Sequence, residues 1–120
     1  MPLPTPHPLD NQFIQGYCPS VGAAPATVYI RIPMRCQIVQ ISSCLQGAIA
    51  TANASCGVAL NGGASFATLT IPFTSSAAGQ VNTVLPNSIT WANEGDVISI
   101  TPSGASGAAA AIFDISILQV

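Results

Sequence analysis

The chain's last third carries Asp96-Val97-Ile98-Ser99-Ile100-Thr101, followed by Ala111-Ile112-Phe113-Asp114-Ile115-Ser116-Ile117-Leu118. In the first segment Ile98 and Ile100 fall on one side, Ser99 and Thr101 on the other. In the second, Phe113, Ile115 and Ile117 share a side that Asp114 and Ser116 avoid. Strict period-two alternation is the mark of a half-buried strand. Asn93-Glu94-Gly95 ahead of the first segment is turn chemistry. Pro102 to Gly107 between the two is a Pro/Ser/Gly loop. The reading is an antiparallel hairpin that needs an opposing wall upstream.

That wall is legible as further short alternating runs. Val28, Ile30 and Ile32 alternate with Tyr29 and Arg31, and Pro33 ends that strand. Arg35 to Gln46 is a longer strand, with Val39, Ile41 and Leu45 assigned inward. Its alternation slips near the start, as a β-bulge would cause. Cys56, Val58 and Leu60 lead into Asn61-Gly62-Gly63, a tight-turn signal, and Leu69 and Ile71 return from it. Val81 to Leu85 and Ser88 to Trp91 are short strands split by Pro86-Asn87, with Trp91 assigned to the core. Ala105 to Ile112 contains helix formers, but Gly107 interrupts them. The sum is an all-β antiparallel β-sandwich over residues 25–120, jelly-roll-like, with an Ig-like Greek key as the alternative.

Residues 1–24 read as a separate extended arm. Prolines at 2, 4, 6, 8 and 19 impose extended or polyproline geometry and exclude helix. Within it His7, Phe13, Ile14 and Tyr17 are the candidate partner-binding residues. The N-terminus lacks the basic and apolar regions of a secretory signal.

Charge is the unusual feature. Of 120 residues only Asp10, Arg31, Arg35, Glu94, Asp96 and Asp114 are formally charged, 5% of the chain against about 25% in typical soluble domains. Lysine is absent. Two arginines cannot neutralise many phosphates, so nucleic acid is not an expected partner. No apolar run reaches the roughly 20 residues of a membrane helix, and no polybasic segment would hold an anionic membrane. Isolated soluble domains carry mixed charge to stay soluble and to blunt their sheet edges. A neutral exterior therefore suits a protein largely covered by other chains. Arg31 and Arg35, as the only cations, are candidate interface charges.

The chemistry of catalysis is thin. His7 stands alone in the arm. Glu94, Asp96 and Asp114 fit no acidic metal loop, and Asp96 suits a turn-capping role. The four cysteines, at 18, 36, 44 and 56, form no C-x-x-C pair. Even spacing puts Cys36 and Cys44 on one face of a strand about 26 Å apart, too far to bond, while Cys56 could meet either. Buried free thiols are the expectation. No catalytic residue, cofactor or metal is expected, and the chain does not read as an enzyme.

Five pieces in order then carry a family resemblance: Gln46-Gly47-Ala48-Ile49, Val58-Ala59-Leu60-Asn61-Gly62, Ala64 through Ile71-Pro72-Phe73, Ser76-Ala77-Ala78-Gly79-Gln80-Val81, and Asn93-Glu94-Gly95-Asp96-Val97-Ile98. Together they resemble the small head-decoration (cement) proteins of tailed bacteriophages, over roughly residues 26 to 120. The resemblance implies a β-sandwich on the outside of an icosahedral shell, made in the host cytoplasm and located on the virion. It implies a homo-oligomer, trimer or dimer, that joins neighbouring copies of the major capsid protein. The alternative is a carbohydrate- or receptor-binding sandwich of a fibre or spike, which would display an aromatic ring among Tyr17, Tyr29 and Trp91.

Overall fold

A computed structural model describes residues 11–119, and every regular element among them is a strand. These are β1 (Asn11–Cys18), β2 (Val28–Arg31), β3 (Cys36–Leu45), β4 (Ala54–Leu60), β5 (Ser65–Ile71), β6 (Val81–Val84), β7 (Thr90–Ala92), β8 (Val97–Ser103) and β9 (Ala111–Gln119). Sheet A runs β1-β9-β3-β6, with β7 also on β3; sheet B runs β2-β8-β4-β5. All pairings are antiparallel.

The pairings nest. β1 joins β9, β2 joins β8, β3 joins β6 and β7, and β4 joins β5. The chain is thus one long hairpin wrapped into two sheets, the winding of a jelly roll. Its tip is the turn read from sequence. Asn61 and Gly62 both take positive φ, 52° and 74°, as the tight two-residue turn requires. Asn61 also ties the tip to β8: its Oδ1 accepts from Val97 N at 2.9 Å, and its own N–H donates to Val97 O at 2.8 Å.

The core lies between the sheets and is built by the expected alternation. Val28, Ile30, Ile41, Leu45, Val58, Leu69, Ile71, Ile98, Ile100, Phe113, Ile115 and Ile117 are buried within strands, and Ile32 is buried just beyond β2. Leu60 is half-buried against them. Val21, Ile49 and Ala109 plug one end of the sandwich. There Val21 N bonds Ala109 O and Ala23 N bonds Gly107 O, each at 2.9 Å.

Several expectations need correction. The last two strands face each other across the core and do not form a hairpin: β8 pairs with β2 and β4, β9 with β1 and β3. The loop between them instead bonds to neighbours, with Ala50 N to Ser106 O at 2.9 Å and Gln46 N to Ala110 O at 2.8 Å. The bulge in β3 falls between Ile38 and Gln40. It buries Ile38 and turns Val39 outward, 40% exposed. It also reverses the parity of the two cysteines that flank it, so Cys36 is buried and Cys44 is half-exposed on the opposite face. In β7 it is Ala92 that enters the core, leaving Trp91 54% exposed. Finally, residues 11–18 of the supposed arm are β1, hydrogen-bonded along β9 from Asn11↔Leu118 to Cys18↔Ala111. They are extended, as the sequence indicates, but they lie along their own chain. His7 and residues 1–10 lie outside the described residues.

Candidate docking surface

The outer face of sheet A follows from these registers. One cross-strand row holds Tyr17, Ile112, Cys44 and Val81; the next holds Gln15, Asp114, Ser42 and Thr83. Phe13, Ser116 and Gln40 follow, then Leu118, Gln37 and Trp91. Phe13 is 67% and Tyr17 63% exposed, and Val81 and Leu118 are also open to solvent. Ile14, by contrast, turns inward and packs half-buried against the core. So two of the arm residues chosen from sequence share the outer face, and the third anchors β1 beneath it.

The face continues past the bulge into an open groove of about 410 Å³ lined by Gln37, Val39, Leu85, Pro86 and Ile89. Leu85 and Ile89 are both largely exposed there. Neither they nor Val81 was singled out from sequence. The run Val81-Asn82-Thr83-Val84-Leu85 does not alternate, so its parity is ambiguous until its partner strand is known.

Sheet B presents a different exterior. Ser99, Thr101, Ser103, Ser55, Thr68 and Thr70 point outward, with Tyr29 at the β2 edge 72% exposed. A depression of about 470 Å³ there is lined by Thr27, Tyr29, Asn61, Val97, Ser99 and Thr101. Tyr17, Tyr29 and Trp91 are therefore all exposed, but they do not converge. Tyr29 belongs to the other sheet, and Tyr17 and Trp91 stand three rows apart, about 20 Å along the strands.

Charges are disposed as sparsely as the sequence implies. Arg31 Nη2 lies 3.7 Å from Glu94 Oε2, with both side chains exposed, a pair worth about 0–1 kcal/mol. Asp96 Oδ2 accepts from Asn93 N at 2.8 Å. That bond, with a further contribution from Asn61, holds its carboxyl below the ordinary carboxylate range. Arg35 is exposed in the bend before β3 and makes no ion pair among the described residues. Asp114 stands mid-face on sheet A, and its Oδ1 is covered by its own chain without a hydrogen-bond partner among the described residues.

All four cysteines are free thiols. Burial pushes Cys18, Cys36 and Cys56 above the usual thiol value, Cys56 to about 12 with a smaller contribution from Cys18. They act as small core hydrophobes. Among the described residues no group of three or more His, Cys, Asp or Glu side chains is placed to hold a metal ion. No helix among them is long and apolar enough to cross a membrane. Comparisons with protein-family models, with curated proteins and with solved structures each return no match to this chain.

Proposed function

We propose that this chain is a structural virion protein, a decoration (cement) protein that binds the outer surface of a phage capsid and stabilises contacts between major capsid subunits. The observation that carries the reading is the outer face of sheet A. It gathers Phe13, Tyr17, Val81, Leu118 and Trp91, and beyond the bulge Val39, Leu85 and Ile89, among neutral polar side chains with one charge, on a protein whose whole sequence holds six. Exposed apolar patches of this kind mark surfaces that other proteins cover. A shell also offers many identical sites, so individually modest contacts add through multivalency. The jelly roll suits such a role but by itself assigns none.

The test is binding to capsids assembled without the protein. Saturable co-sedimentation, together with a higher temperature of shell disruption, supports the proposal. Capsids that neither bind it nor gain stability overturn it. The three exposed rings favour one rival, a carbohydrate- or receptor-binding module of a fibre or spike. A glycan array separates the two, since specific glycan capture without capsid binding would select the rival.

The structure also changes the deletion that examines the arm. Removing residues 1–20 would strip β1 from β9 and expose the core beneath Ile14 and Cys18. Removing residues 1–10 leaves all nine described strands whole, with the new end at Asn11. Reduced capsid affinity with an unchanged far-UV spectrum is the expected result.

A further inference from the structure

We infer that the outer face of sheet B carries a binding site for a neutral glycan, in the depression beside Tyr29. The site lies on the side of the sandwich opposite the proposed capsid contact. It goes beyond that function and stands or falls separately from it.

The strand registers build the depression. Its floor is β8, which turns out the short side chains of Val97, Ser99 and Thr101. Its wall is Tyr29 on β2, level with Ser99 and 72% exposed. Thr27, just before β2, extends that side, with its hydroxyl oxygen 3.4 Å from that of Thr101. At the Val97 end stands the hairpin tip, where Asn61 is bonded to Val97 through both its Oδ1 and its backbone N–H. The β4 partners of Thr101 and Ser99 are Gly57 and Ala59, which add almost no height on the far side. The space is about 470 Å³, within the about 300–1,000 Å³ of small-molecule sites.

The lining selects the ligand. None of its residues is charged. The charges on adjoining residues are engaged: Arg31 faces Glu94, and Asp96 accepts from Asn93 N. An ion entering would lose hydration and find no counter-charge. An apolar ligand would strip water from the hydroxyls of Thr27, Ser99 and Thr101 and return no hydrogen bond. Those three hydroxyls both donate and accept, so they match a ligand whose own groups do the same. The Tyr29 ring adds an apolar face with a polar tip, which suits the C–H face of a sugar ring. A molecule with C–H groups on its faces and hydroxyls around its rim meets every one of these conditions. The other two candidate rings lack such company. Tyr17 shares its row with Ile112, Cys44 and Val81, and Trp91 shares its row with Leu118 and Gln37. The site is also held in shape before any ligand arrives, because two paired strands and a doubly tied turn build it, and that lowers the cost of binding.

The test is titration of the isotope-labelled full chain, followed by amide NMR shifts. The probes are neutral cello-, malto-, manno- and chito-oligosaccharides, with oligogalacturonides as the anionic control. Saturable shifts at Tyr29, Ser99 and Thr101 with at least one neutral series, and none with oligogalacturonides, are the expected result. Tyr29→Ala should weaken that binding roughly 10-fold or more, as loss of an aromatic anchor does. Tyr29→Phe, which keeps the ring, should retain most of it. Trp91→Ala and Tyr17→Ser, on the other sheet, should leave it unchanged. Retention on the matching insoluble polysaccharide identifies a polymer as the source of the glycan; binding of the soluble form alone identifies a free sugar. No shift with any neutral series, shifts that map to sheet A, an equal response to oligogalacturonides, or an affinity indifferent to Tyr29→Ala in a protein with an unchanged far-UV spectrum overturns the inference. Capsid co-sedimentation is scored on the same samples. A chain that binds sugar but no capsid leaves this site standing, and one that binds capsid but no sugar leaves the proposed function standing.

Discussion

The two outer faces of the sandwich arise from the same alternation yet differ in what they offer. Sheet B turns out mostly small hydroxyl side chains from β4, β5 and β8, with Tyr29 at its β2 edge; Thr101 meets the Thr27 hydroxyl and Ser103 donates to Ser55 O. Sheet A turns out Phe13, Tyr17, Trp91, Val81 and Leu118 around a single carboxylate. Alternation decides which residues leave the core; it does not decide what covers them afterwards. The aromatic content of sheet A's exterior does nothing for the fold of one chain. It lowers the free energy of the chain only when something apolar lies against it.

The largest effects should come from the inner side of β9, which sets the scale for everything on its outer side. Phe113 is fully buried, and Phe113→Ala should cost about 3–5 kcal/mol of stability, read from the urea midpoint. Tyr17→Ser, on the outer face opposite Ile112, should change monomer stability by no more than about 0.5 kcal/mol. If Tyr17→Ser proves as damaging as Phe113→Ala, the outer face is part of the folding core and the contrast between faces fails.

Next comes association. Under the proposed function, Phe13→Ser combined with Trp91→Ser should remove about 2–4 kcal/mol of capsid-binding free energy, since buried aromatic anchors dominate interfaces. Thr68→Lys combined with Thr101→Lys, on sheet B, should leave association unchanged. Equal losses from both pairs in sedimentation would mean that neither face is special.

The thiols divide along the same line. Cys44 is half-exposed on the outer face of sheet A and should react with a thiol reagent in the folded protein, more slowly if capsid covers that face. Cys56 should react only on unfolding. Its pKa, pushed up to about 12, also gives a pH dependence. The unfolded chain releases this proton first, near pH 8.5–9. The stabilisation is therefore complete below that value and is lost as pH rises toward 12. A urea midpoint that falls between pH 8 and 10.5, with a smaller fall in Cys56→Ala, is the expected result.

How far the sequence carries is clearest in β3 and β7. The core residues of β8 and β9 alternate without interruption, so their inward faces were readable directly. In β3 the slip itself was readable, but a bulge of one residue reverses every side chain beyond it. Its position, between Ile38 and Gln40, depends on the register with β9. Val39 and Cys44 were misassigned for that reason alone. β7 has three residues, too few for alternation to show whether Trp91 or Ala92 enters the core. β1, which holds no proline, was hidden by the prolines on either side of it. Local geometry made the segment extended, and nothing local reveals that the strand waiting to pair with it is the last in the chain. The docking face combines all of these: it depends on the bulge, on β7's parity and on a first-to-last pairing, so its residues could be named singly but not assembled.

The smallest effect separates the faces from the turns that join their strands. Asp96 caps the Asn93 turn at the start of β8, with its carboxyl held below the usual range by the Asn93 N–H and by Asn61. A depressed folded-state pKa means that the unfolded chain binds the proton first as the medium is acidified. The stabilisation is thus present above about pH 4 and is lost as pH falls through the lower, folded value. Asp96→Asn should flatten the acid limb of stability between pH 4 and 2 while leaving sedimentation at neutral pH unchanged. Asp114→Asn, mid-face on sheet A, should instead lower co-sedimentation with capsids. Finding the two variants interchangeable in sedimentation with capsids would show that charge on the face and charge in the turn serve the same end.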